Sequence, residues 1–217
     1  MPRSRYAYVI FDLDGTLADP GEAIFEAIKR TLAAFGRPEP DAFTLRSHIG
    51  PPLHEIYSSY GLGSKDVQAA IALHRSIFPK LADEHYRSYA GIPELLDALR
   101  SAGVKLALAT SKFTPQAERI VEALGLGNFA AIRGEGPGDG ASSKFHVLSE
   151  AITAEPEVSL AEIAMVGDRR FDLAAADRCG IDGVAVAYGF GTEEELAASA
   201  PRFLARSVKE LRSYLLA

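Results

Sequence analysis

A continuously apolar run, Tyr8-Val9-Ile10-Phe11, stops at Asp12-Leu13-Asp14-Gly15-Thr16, and this junction limits the possible folds more than any other stretch. A strand with one wet face alternates apolar and polar residues. A run with no polar face needs cover on both sides, which is the situation of strands in parallel sheets flanked by helices. Asp12 and Asp14, two apart, share one side of an extended segment. Carboxylates that close repel unless a cation lies between them, and a divalent ion with oxygen ligands meets that need. An Asp-x-Asp-Gly also opens EF-hand calcium loops, but the twelfth position counted from Asp12 is Ala23 rather than the required Glu. A solvated turn after a strand is the plainer alternative, and the rest of the chain has to decide.

Asp19-Pro20-Gly21-Glu22 has the form of a capping box with Pro at the first helical position, and Ile24, Ala27, Ile28, Thr31, Leu32 and Phe35 keep helical spacing up to Gly36. Beyond a Pro-rich connector at 36–42, helical spacing returns at 52–60 and 65–86, so 19–89 reads as all-helical. From Gly91 the pattern changes. Helices are expected at 93–102, 115–124, 143–153, 170–179 and 208–216, and strands at 104–109, 129–132, 163–166 and 183–187. This alternation predicts an α/β fold: a Rossmann-like parallel sheet with helices on both faces, made of 1–18 and 90–217, with an all-helical block, 19–89, inserted after the first strand.

Composition narrows the partners. A 47% hydrophobic content over 217 residues supports a packed interior, and a net charge of −6 with scattered Lys and Arg argues against a nucleic acid polymer. The single cysteine, Cys179, excludes an internal disulfide, reads as a packing thiol and suggests a reducing compartment. No apolar stretch approaches the roughly 20 residues that span a bilayer. The start, Met1-Pro2-Arg3-Ser4-Arg5, leads into a strand too short for a signal peptide's apolar region. A cytoplasmic protein without a membrane partner is expected, and its oligomeric state is left open.

In an open parallel sheet, ligands bind beyond the carboxyl ends of the strands. Those ends carry Asp12 and Asp14, then Thr110-Ser111-Lys112, then Gly167-Asp168-Arg169-Arg170-Phe171-Asp172, with Lys144 opening a helix between the last two. Three polar strand ends and a lysine together would make a pocket for a cation and an anion.

The set Asp12-x-Asp14-Gly15-Thr16, Thr110, Lys144 and Gly167-Asp168…Asp172 resembles the four motifs of the haloacid dehalogenase superfamily, in order and over nearly the whole chain. The helical block is similar to the cap of that superfamily's phosphoglycolate phosphatase-like branch. The resemblance implies a Mg²⁺-dependent phosphomonoester hydrolase of small phosphorylated metabolites. Asp12 would be the nucleophile, passing through an aspartyl phosphate, a task for which an ionised carboxylate needs no base. Asp14 would protonate the departing alkoxide and then deprotonate water. Dehalogenases expel halide, need no proton there and lack the second acid, so Asp14 favours phosphate chemistry. Asp12, the backbone carbonyl of Asp14 and Asp168 are implied to hold the metal. Gly15, Thr16, Thr110, the Ser111 amide and Lys144 are implied to hold the phosphoryl oxygens. Asp172 is implied to orient Lys144 or a metal-bound water. The lysine departs from the superfamily's frequent Lys-Pro, being followed by Phe145 and His146, and Lys112 is its rival.

Within the block, Arg46 and His48 of Leu45-Arg46-Ser47-His48-Ile49-Gly50-Pro51-Pro52-Leu53 are expected to offer cations to a second anionic group, although Pro51 and Pro52 also suit a simple helix start. Ile49 to Leu53, Asp139-Gly140, Gly167-Asp168-Arg169 and Tyr188-Gly189-Phe190-Gly191 resemble a subgroup that includes phosphoglycolate phosphatase-like and 5'-nucleotidase-like members. A phosphoglycolate phosphatase-like activity is the leading expectation, and a 5'-nucleotidase, a phosphomutase and an inactive binding module are the alternatives. Chain crossings near 18–20 and 89–91 suit a hinge that lets the block move.

Overall fold

Strand β1 (Tyr8–Phe11) lies at the centre of a six-stranded parallel sheet, and all four of its residues are inaccessible to solvent. The computed structural model describes residues 4–136 and 143–217; Met1-Pro2-Arg3 and Asp139-Gly140 lie outside them. The sheet order is β5 (Ala131–Glu135), β4 (Lys105–Phe113), β1, β6 (Ile163–Gly167), β7 (Asp182–Val186) and β8 (Phe203–Ala205). Tyr8 stands in register with Lys105 on one side and Ile163 on the other.

The alternation of side chains along β1 divides the interior. Val9 and Phe11 enter the larger core, while Tyr8 and Ile10 enter a second one on the opposite face. Helices α5 (Ile92–Ser101), α6 (Thr114–Ala123) and α10 (Val208–Leu215) send Leu95, Leu96, Leu99, Ile120, Val121 and Leu211 into the first. Helices α7 (Lys144–Ile152) and α8 (Arg170–Cys179) cover the second with Val147, Leu148, Ala175 and Ala176, and the Tyr8 hydroxyl donates to the Ala151 carbonyl at 2.8 Å. Cys179 packs at the edge of this second core. The expected α/β architecture is present. Strand β8 and the short helix α9 (Glu193–Ala198) had no periodic signal in the sequence.

Between β1 and α5 the chain forms β2 (Ala18–Asp19), α1 (Ala23–Ala34), α2 (Ala42–Ser47), α3 (Leu53–Ser59), α4 (Ser64–His85) and β3 (Arg87–Ser88). Two expectations need correction here. The stretch is not wholly helical, because β2 and β3 pair antiparallel, Ala18 with Ser88 and Asp19 with Arg87, and tie the two crossings into a ribbon. The capping box at Asp19 does not form: Asp19 Oδ1 accepts from the nearby Gly21 amide at 2.8 Å, Gly21 takes φ +53°, and α1 starts only after Glu22. Helix α2 follows the connector in a stretch to which the sequence assigned no element; Asp41 caps it by accepting from the Thr44 amide at 2.7 Å. Among the described residues, no helix is long and apolar enough to cross a membrane.

Candidate active site

The turn after β1 is built by one carbonyl. Leu13 O accepts from Thr16, Leu17 and Ala18 amides at 3.3, 3.0 and 3.0 Å, and Gly15 closes the loop at φ +85°. Glycine is required there twice over: a side chain would be strained at that φ, and a Cβ would fall 2.1 Å from Asp168 Oδ2. The loop leaves Asp12 and Asp14 lining one pocket with Thr110, Ser111, Lys112, Lys144, Arg169 and Asp172.

Lys144 is the first residue of α7, whose cap Ser143 accepts from the His146 amide at 3.3 Å. Its ammonium lies 2.7 Å from Asp12 Oδ1 and 2.7 Å from Asp172 Oδ1, and all three groups are buried. Burial alone would favour the neutral amine, but the charges of Asp12 and Asp172 outweigh it and hold the lysine pKa above its ordinary value. Asp172 also accepts from the Arg169 amide at 3.1 Å, capping α8. Lys144, rather than its rival Lys112, therefore pairs with Asp12 and Asp172.

Asp168 is completely buried. Thr16 Oγ1 donates to its Oδ1 at 3.2 Å and the Phe190 amide to its Oδ2 at 2.8 Å. Gly189 allows that loop to approach, since a Cβ there would sit 2.5 Å from Asp168 and 2.4 Å from Gly15 O. Burial, then the charges of Asp12 and Asp172, push the Asp168 pKa well above the usual carboxylate range. Carboxylate oxygens of Asp12, Asp168 and Asp172 lie within 4.8 Å of one another. Three buried acids that crowded, with only one lysine among them, make a donor set of hard oxygens that fits a divalent cation.

The structure brings together Asp12, Asp14, Thr110, Ser111, Lys144 and Asp172 as lining residues, with Asp168 directly behind them. Gly15 and Thr16 lie against Asp168 and are not among the pocket-lining residues. The two cationic residues expected of the helical segment are placed differently from one another. Arg46 is exposed, lies over the Phe190 ring at 5.5 Å and is not among the pocket residues, whereas His48 lines the pocket but bonds to the Tyr60 hydroxyl at 2.9 Å. Burial lowers the His48 pKa, which favours its neutral form.

Several residues were given no role of their own by the sequence pattern. Arg169 is buried, donates to Ile49 O and to Glu195 Oε1, and so joins the strand end to the segment before α3. Glu135, at the end of β5, pairs with Arg75 of α4 at 3.0 Å, and both His74 and Glu135 border the pocket. Lys112 Nζ lies 2.9 Å from Asp14 Oδ2, and the Tyr86 hydroxyl donates to Asp14 Oδ1 at 2.6 Å. A polar residue just past a strand was the available signal for Lys112 and Arg169; none pointed to Tyr86.

Residues 9–186 match a family model described as haloacid dehalogenase-like hydrolase. The 5'-nucleotidase of Pseudomonas aeruginosa is 35% identical over 213 residues, covering 97% of this chain and 96% of that protein. The tyrosine-protein kinase PtkA of Mycobacterium tuberculosis is 35% identical over 210 residues, covering 95% of this chain and 72% of that protein. The crystal structure of a predicted phosphatase from Clostridium acetobutylicum matches with a TM-score of 0.90 at 34% identity, covering 97% of this chain and 98% of that one.

Proposed function

The chain belongs to the haloacid dehalogenase-like hydrolases, and on that premise we propose that it is a Mg²⁺-dependent, cytoplasmic phosphatase of small phosphate monoesters, with phosphoglycolate-like esters as the leading substrates. The observation that carries this is the pair of acids on one pocket wall, Asp12 against Lys144 and Asp14 against Lys112, beside the buried Asp168.

Asp12 is the nucleophile toward phosphorus, and Lys144 fixes the carboxylate that attacks. Thr110, the Ser111 amide and Lys144 receive the equatorial oxygens, on which charge is spread in phosphoryl transfer. Asp14 serves the leaving oxygen and then the water. Asp172, with its oxygens engaged by Lys144 and the Arg169 amide, orients the lysine. Asp12 and Asp168, with the Asp14 carbonyl, would hold Mg²⁺, whose charge would allow an anionic nucleophile to approach an anionic ester.

We take residues 19–89 as a cap that moves. The pocket has a volume of about 60 Å³, several times the ~10–15 Å³ that one water needs on the same measure. That suits a phosphoryl group with a small remainder. The names of the relatives do not agree on a substrate, so pocket size favours the small ester, while the extent of identity to a 5'-nucleotidase supports a nucleotide as the second reading. The test is phosphate release from a panel of esters that includes phosphoglycolate, 5'-nucleotides and hexose phosphates, with and without Mg²⁺. Turnover is expected to be highest for the smallest esters and lost in Asp12→Asn. A wild type inert across the panel overturns the proposal.

A further inference from the structure

Asp14 is gripped from two sides by residues that come from different parts of the chain. Lys112 belongs to the end of β4, where pairing with β5 shifts register between Ala109 and Phe113. Tyr86 ends α4, one residue before the β2–β3 ribbon. Each donates to a different oxygen of the Asp14 carboxyl, Lys112 to Oδ2 at 2.9 Å and Tyr86 to Oδ1 at 2.6 Å. Phe78 binds the two donors into one unit: Lys112 Nζ lies 4.3 Å from the Phe78 ring centre and 5.4 Å from that of Tyr86, and the two rings meet edge-on at 5.9 Å. Lys112 and Tyr86 are both buried against this ring, so the four-carbon stem of the lysine has already lost the rotamer freedom it would have in water.

We propose that Lys112 and Tyr86 are positioning residues that hold the Asp14 carboxyl in line for proton transfer at the leaving oxygen. The inference rests on the hydrolase reading above. A carboxylate offers about four lone-pair sites, so one bond on each oxygen leaves a site for the substrate. In the first step a bond forms between Asp12 Oδ and phosphorus while the ester P–O bond breaks; its electron pair stays on the ester oxygen, which takes the proton from Asp14. In the second, a water oxygen bonds to phosphorus, its proton passes to Asp14, and the bond to Asp12 breaks with its electron pair returning to the carboxylate. Proton transfer of this kind contributes roughly 10²–10⁴-fold and needs a heavy-atom separation of about 2.6–3.2 Å. A carboxyl free to rotate would forfeit much of that. The loss must depend on the leaving group, because an alkoxide needs the proton and a nitrophenolate departs as an anion.

The experiment compares glycerol phosphate with p-nitrophenyl phosphate in wild type, Tyr86→Phe, Lys112→Met, Lys112→Arg and Asp14→Asn, with melting temperatures as a check on folding. The constant to read is kcat/KM, which covers only steps up to departure of the leaving group. Tyr86→Phe, which keeps the ring against Phe78, is expected to lower the alkyl ester's kcat/KM by about 10-fold and Lys112→Met by about 100-fold. The aryl ester is expected to stay within about 3-fold, Lys112→Arg to recover part of the loss, and Asp14→Asn to show the same selectivity in stronger form. Equal losses on both esters in an active, folded enzyme would overturn the inference alone and leave Lys112 as a phosphate contact. A wild type inert on both overturns the hydrolase reading and the inference with it.

Discussion

On the sheet side of the pocket the ionisable groups are paired with one another: Asp12 and Asp172 share Lys144, and Asp14 takes Lys112. On the helical side the two histidines are held by rings. His48 meets Tyr60 edge-on at 5.7 Å, and His74 stacks on Phe78 at 5.7 Å while bonding to the Tyr57 hydroxyl. Burial, with help from the nearby charges of Lys112 and Arg75, drives the His74 pKa down to about 3. The difference teaches a division of labour. The strand ends concentrate ionisable groups and the helices supply close-packed rings; on the proposed reading the first would meet phosphorus and the second would select by shape.

The comparison breaks most readily at Lys144. Lys144→Met leaves Asp12 and Asp172 facing each other without their cation. It is expected to reduce phosphate release by about 10³-fold and, without added metal, to cost about 3–5 kcal/mol of stability, the usual range for a broken buried pair. Activity and melting near those of wild type would show that charge does not organise the strand ends.

Gly189→Ala against Gly63→Ala tests the same contrast through the backbone. At Gly189 a Cβ would enter the space of Gly15 O and Asp168, while at Gly63, before α4, it meets nothing within 4 Å. The first is expected to cost about 2–3 kcal/mol and to lower activity; the second stays within about 1 kcal/mol. Denaturant unfolding of both checks this, and equal costs would remove the argument that the Gly189 loop buttresses Asp168.

His74 sharpens the helical half through pH. Its folded-state pKa lies below the ordinary 6.5, so the unfolded chain binds the proton first. The stability it contributes is complete above about 6.5 and is lost as pH falls from there toward about 3. His74→Gln is expected to flatten this part of the stability–pH curve, as urea midpoints at several pH values would record. The smallest effect is expected at Arg46, exposed and away from the pocket. Arg46→Ala should change kcat/KM by no more than about 2-fold, as for an ordinary surface substitution.

The two regions also differed in how far they could be read from sequence. β1 was legible because four apolar residues in a row allow few alternatives, and Asp12 and Asp168 were legible because polar residues directly after such strands have few structural excuses. Lys144 was harder, with Lys112 competing, because the choice depends on which ammonium reaches Asp12 across the sheet. Arg46 and His48 were hard to place for a physical reason: a cationic residue type carries no information on whether its side chain will lie over Phe190, as Arg46 does, or line the pocket while bonded to Tyr60, as His48 does. Tyr86 was invisible, since its contact with Asp14 spans 72 positions and follows from the β2–β3 ribbon, whose strands are two residues each. Short strands paired over long separations leave no periodicity to find.

The central claim is that Asp12 bonds to phosphorus. Rapid acid quench during turnover of the best ester, followed by peptide mass spectrometry, tests it directly. The account predicts a phosphorylated peptide carrying the modification on Asp12, formed before phosphate appears and absent in Asp12→Asn. Phosphate release at full rate with no phosphorylated Asp12 at any quench time, or undiminished release by Asp12→Asn, would contradict it.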